Sequence, residues 1–141
     1  MKRLLGFLST VAMTFVLTAP LAAQPLKLTA SVPFEFMVAG RSMPAGDYSI
    51  DAGSSPIGAA RVSSGNEGVY FLAIRETASQ KERTGESLLI FHRYGDRYFL
   101  SSIVDGSLNT GVEIPTSGIE KELSKTASLR KFETVAVLAR R

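Results

Sequence analysis

At 141 residues and 45% hydrophobic content, the chain is long enough for one domain with its own core. It contains no cysteine, which excludes disulfides, thiolate catalysis, cysteine-ligated metals and cysteine-attached lipid. The net charge of +3 includes Lys2 and Arg3; without them 14 Lys plus Arg face 13 Asp plus Glu, and bulk charge gives no nucleic-acid footprint.

The chain opens with the order of regions that marks a secretory signal peptide. Lys2 and Arg3 supply the positive start. An apolar run from Leu4 to Leu17 follows, and Pro20 leads into the small residues Ala22 and Ala23. A spanning helix needs about 20 apolar residues, and this run ends sooner. The expectation is therefore a cleaved segment 1–23, a single β-rich domain over 24–141 with no transmembrane segment, and export to the periplasm or medium.

The remainder alternates short apolar runs with turn signals, the pattern of an all-β domain. Val32 to Val38 reads as a strand with Val32, Phe34, Phe36 and Val38 on one face. Pro33 donates nothing to a ladder, so this strand belongs at an edge or a start. Met43-Pro44-Ala45-Gly46 has the residues of a type I turn, after which Tyr48 and Ile50 face inward. Ala59 to Ser63 is a weaker run. Val69 to Ile74 is apolar on both faces and reads as a central strand, and Glu76 to Glu86 reads as an exposed, mobile loop.

The clearest local pattern is a hairpin of Leu88–Tyr94 and Arg97–Val104 around Gly95-Asp96, where glycine takes the positive φ of a tight turn. That register opposes Tyr94 to Arg97, Arg93 to Tyr98, His92 to Phe99 and Phe91 to Leu100. One face then carries Leu88, Ile90, His92, Phe99 and Ile103, and the other Leu89, Phe91, Tyr98 and Leu100. Ser117 and Glu120 have capping-box spacing and predict a helix over 117–130. Ile119, Leu123 and Ala127 would form its inner stripe, with Glu120, Lys121, Glu122 and Lys125 facing water. Phe132 to Ala139 closes the chain as a strand with Val135 and Val137 on one face.

The expected fold is mainly β: a small sandwich or barrel of about seven or eight antiparallel strands, with one helix from the C-terminal region packed on it. Three segments also resemble a known group. They are Val32-Pro33-Phe34-Glu35-Phe36-Met37-Val38 with the following Met43-Pro44-Ala45-Gly46-Asp47-Tyr48; Phe91-His92-Arg93-Tyr94-Gly95-Asp96-Arg97-Tyr98-Phe99; and Gly111-Val112-Glu113-Ile114-Pro115 ahead of Glu120. Together they resemble small exported β-rich proteins common in acidobacteria. The resemblance implies an exported β domain; no activity, ligand or site residue comes with it.

Residue by residue, the chemistry is sparse. His92 is the sole histidine, with no carboxylate beside it in sequence. A base needs a partner and a metal site needs several ligands, so His92 reads as structural. Asp105 to Gly111 places oxygen ligands at alternate positions, but Thr110 and Thr116 stand where a calcium loop needs glycine and glutamate. G-x-S-x-G and phosphate-loop motifs are missing. No catalytic residue, metal or cofactor is therefore assigned, and the chain is expected not to be an enzyme. The hairpin side chains His92, Arg93, Tyr94, Tyr98 and Phe99 are the candidate ligand-binding platform, although cross-strand aromatic pairs also simply stabilise sheets. The leading expectation is an exported, non-enzymatic binding or structural protein meeting an envelope protein or glycan. The alternatives are a carrier of a small apolar ligand in a barrel interior, and a hydrolase whose site is assembled from residues distant in sequence.

Overall fold

The computed structural model describes residues 25–52, 58–77, 85–126 and 132–141. The expected signal segment 1–23, residues 78–84 of the expected loop and the helix beyond Thr126 lie outside them. Eleven strands form one sheet: β1 (Leu26–Val32), β2 (Phe36–Val38), β3 (Arg41–Met43), β4 (Gly46–Ala52), β5 (Ala59–Ser64), β6 (Glu67–Leu72), β7 (Ile74–Thr77), β8 (Ser87–Tyr94), β9 (Arg97–Asp105), β10 (Thr110–Glu113) and β11 (Glu133–Arg140). The helix α1 (Gly118–Thr126) sits between β10 and β11 in the chain.

The path β6-β5-β4-β1-β11-β8-β9-β10-β7 carries the sheet almost around a barrel. Its two ends are consecutive in sequence. β6 pairs β5, and after Ala73 the chain continues as β7, which pairs β10. The Ala73 N–H donates to the Gly58 carbonyl at 2.8 Å at this change of partner. Short β2 adds to β9 in parallel, Phe36 opposite Tyr98, an exception to the expected antiparallel pattern.

Alternation on β1 buries Leu26, Leu28, Ala30 and Val32 and exposes the residues between. With Phe36, Ile50, Val62, Leu89, Phe91 and Ile103 they fill the interior. Burial of side chains this large stabilises by about 1.5–3 kcal/mol each. The interior is therefore a packed core.

Several expectations change. The Val32–Val38 run is two strands, because Pro33 interrupts the ladder; all four apolar residues still reach the core, Phe34 partly. Val69–Ile74 is not central: β6 is a terminal strand, and Tyr70, on its outer face, is 70% exposed with Leu72 and Ile74 also open. Part of the expected loop is strand β7. The hairpin holds the expected register from Tyr94/Arg97 to Phe91/Leu100, then slips by one residue, so that Ile90 faces Ser102 and Leu89 faces Ile103. This bulge moves Ile103 into the core with Leu89 and leaves Ile90 with Val104 and Leu88 in a separate outer cluster. Gly95 takes positive φ and Asp96 does not, matching a type II′ turn.

Gly106 follows β9 where the backbone of Gly85 and Glu86 crosses it. A Cβ there would lie 2.3 Å from the Glu86 carbonyl oxygen, whereas one at Gly46 meets nothing within 4 Å. Gly106→Ala is expected to cost about 1–3 kcal/mol, the range for forced overpacking. Gly46→Ala should stay within about 0.5 kcal/mol. Thermal melts followed by circular dichroism compare the two.

Candidate functional site

A polar centre forms where α1 meets the outer face of the β8–β9 hairpin. Ser117 caps the helix by accepting the Glu120 N–H on its Oγ at 3.2 Å. Only this half of the expected capping box is made. The Glu120 side chain turns to the sheet, where it is 4% exposed and its Oε1 lies 2.9 Å from His92 Nδ1. Tyr94 Oη–H donates to the same oxygen at 3.4 Å. The helix is therefore turned so that Glu120 is inside and Ile119 is 41% exposed, while Leu123, three residues after Glu120, is half-buried. The reason is that a buried carboxylate must be partnered, and the partners stand on the sheet.

On the other side of the imidazole, Nε2 lies 3.1 Å from Ser101 Oγ. Ser101 is the residue the bulge adds, with no Cα partner on β8. A carboxylate only accepts hydrogen bonds, so in the neutral ring Nδ1–H donates to Glu120 and Nε2 accepts from the Ser101 hydroxyl. Phe132, just before β11, lies against the ring with centroids 4.2 Å apart, and Tyr94 meets Phe99 edge-on at 5.8 Å. Ser101, His92 and Glu120 thus form one hydrogen-bonded chain, walled by aromatic rings.

The structure divides the five platform residues between two faces. His92, Tyr94 and Phe99 belong to this centre. Arg93 and Tyr98 lie on the opposite face, with the Arg93 guanidinium 5.5 Å from the Tyr98 ring centroid and Phe34 stacked on Tyr98 at 3.9 Å. Ser101 and Glu120 are additional members. The capping-box spacing singled out Glu120 but pointed it to solvent, and nothing in the spacing of residues marked Ser101. The Asp105 carboxylate is engaged within its own loop: Oδ1 accepts from Ser107 N at 2.9 Å and from Leu108 N at 3.3 Å. Among the described residues no three His, Asp or Glu side chains converge as a metal site would require.

A second concavity lies on the outer face of β11, β1, β4 and β5. It has a volume of about 670 Å³ and is lined by Thr29, Ser31, Asp47, Ser49, Ser63 and Arg140, with Leu138 at its border. The register explains its shape. Arg140 opposes Thr29, Thr29 opposes Ser49, Ser49 opposes Ser63 and Ser63 opposes Gly68, so short side chains form a floor across the strands. The neighbouring row of Lys27, Asp51, Arg61 and Tyr70 stands taller beside it. Two floor hydroxyls make 3.4 Å contacts to carbonyls, Thr29 to Arg140 and Ser63 to Ser49.

The Tyr94 phenol is pushed above its ordinary 10.0 by burial, and further by the charge and hydrogen bond of Glu120. A group raised on folding contributes stability that is present below its unfolded value and lost as pH climbs through its folded one. The Tyr94 contribution should therefore persist through neutral pH and fade above about 10. Glu120→Gln removes the charge and should lower the Tyr94 midpoint. Alkaline ultraviolet titration, with Tyr94→Phe to identify the signal, measures it; a midpoint insensitive to Glu120→Gln would contradict the contact.

Comparison with known protein families, with curated proteins and with solved structures gives no match for this chain.

Proposed function

We propose that the protein is exported and acts by binding in the cell envelope or extracellular space, with the groove on β11, β1, β4 and β5 as its binding surface. The groove is the observation that carries this reading. Its floor of serine and threonine hydroxyls, with one carboxylate from Asp47 and one guanidinium from Arg140, suits a neutral ligand rich in hydroxyl groups. An envelope glycan has that chemistry. The signal-like start of the sequence supports the location, and the acidobacterial resemblance agrees with it. Carriage of an apolar ligand inside the barrel has less support, because Leu28, Phe36, Ile50, Phe91 and Ile103 occupy the interior, and a close-packed core leaves no room for a ligand.

Affinity electrophoresis through gels containing soluble envelope polysaccharide tests the reading. The wild-type protein should be retarded, and Ser49→Trp, which fills the centre of the floor, should migrate freely. Ser49 is exposed, so the substitution leaves the core untouched. Equal migration of both proteins across glycans of different composition would overturn the reading.

A further inference from the structure

We propose that Ser101 is a nucleophile, with His92 as its base and Glu120 as the group that orients the base, and that this centre takes acyl groups from carboxylic esters. This goes beyond binding and is independent of the groove. The roles follow from the order of contacts: hydroxyl to Nε2 at 3.1 Å, then Nδ1 to carboxylate at 2.9 Å. A nucleophile within hydrogen-bond reach of a base that a third group orients is the general arrangement for acyl transfer.

Two observations favour this over a clamp that merely fastens α1 to the sheet. A clamp accounts for the Glu120–His92 contact but makes no demand for a hydroxyl on the far nitrogen. Ser101 supplies that hydroxyl from the unpaired position of a bulge, a feature that re-aims side chains and is over-represented beside active sites. The helix also leaves Ile119 exposed while burying Glu120. A buried carboxylate needs hydrogen-bond donors that an apolar residue in its place would not, so packing alone would have favoured burying Ile119. The half-open ring of Phe132, against the imidazole, suits a small apolar acyl group.

In the step itself, Ser101 Oγ bonds to the ester carbonyl carbon as its proton passes to His92 Nε2. The Glu120 carboxylate faces the resulting imidazolium. Collapse of the tetrahedral adduct breaks the carbon–oxygen bond to the alcohol, which leaves with the proton from His92. Water then attacks the acyl-Ser101 in the same way, releasing the carboxylic acid and restoring the hydroxyl.

The test is reaction of the purified protein with a fluorophosphonate probe, read by intact mass and peptide mapping, alongside hydrolysis of p-nitrophenyl acetate. The wild-type chain should acquire one adduct on Ser101, and Ser101→Ala, which removes only a hydroxyl, should acquire none. His92→Ala should slow labelling about a hundredfold or more, as loss of a general base does. Glu120→Gln should slow it while circular dichroism shows the sheet retained. A wild-type protein that stays unlabelled, or labelling that is unchanged in Ser101→Ala, would sink the proposal. Neither outcome bears on glycan retardation.

Discussion

The buried carboxylate of Glu120 ties the helix to the β8–β9 hairpin. Taking a carboxylate out of water costs several kcal/mol even after relaxation, so its position is tolerable only where donors meet it. His92 Nδ1 and Tyr94 Oη supply those donors from alternate residues of one strand, which project to the same face of the sheet. The helix must then sit over β8 and present its first turn to the hairpin, whatever its apolar stripe would prefer. The same contact fixes the imidazole tautomer and so determines which nitrogen is left for Ser101. Helix placement, ring orientation and the state of the serine hydroxyl are one linked problem.

Much of the sheet was legible because alternation and turn chemistry act locally. The Gly95-Asp96 hairpin, the inward Tyr48 and Ile50 and the β11 strand follow from residues adjacent in sequence. The misreadings share a cause. Val69 to Ile74 is apolar on both faces, and a terminal strand with Tyr70 and Leu72 outside has the same composition as a central one with both faces covered. The bulge at Ser101 inserts a residue without any glycine or proline to announce it, and one inserted residue inverts every side chain beyond it.

The polar centre was illegible for a stronger reason. Glu120 at the third helical position has two physical solutions. It can close a capping box on Ser117, or it can leave that donor to other partners and reach across to a neighbouring element. Local spacing describes only the first. The second needs His92, which lies 28 residues away, and a histidine looks partnerless until the sheet and helix are assembled. Adjacency in sequence reveals only motifs built on a single turn or loop. Centres assembled across elements escape it.

Strand β11 joins the two surfaces. Its outward residues Thr134, Ala136, Leu138 and Arg140 are all exposed. Thr134 opposes His92 at one end, and Arg140 opposes Thr29 on the groove floor at the other. Six residues of strand at about 3.3 Å each separate these positions by about 20 Å. An extended polymer lying along β11 would reach from the hydroxyl-lined floor, past Leu138, to the aromatic rings around His92 and Ser101. The geometry that relates them belongs to a core-anchored strand, with Val135 and Val137 packed inward on its other face. A surface loop would not hold the two regions at a fixed separation; a strand paired with β8 from Glu133 to Ala139 does.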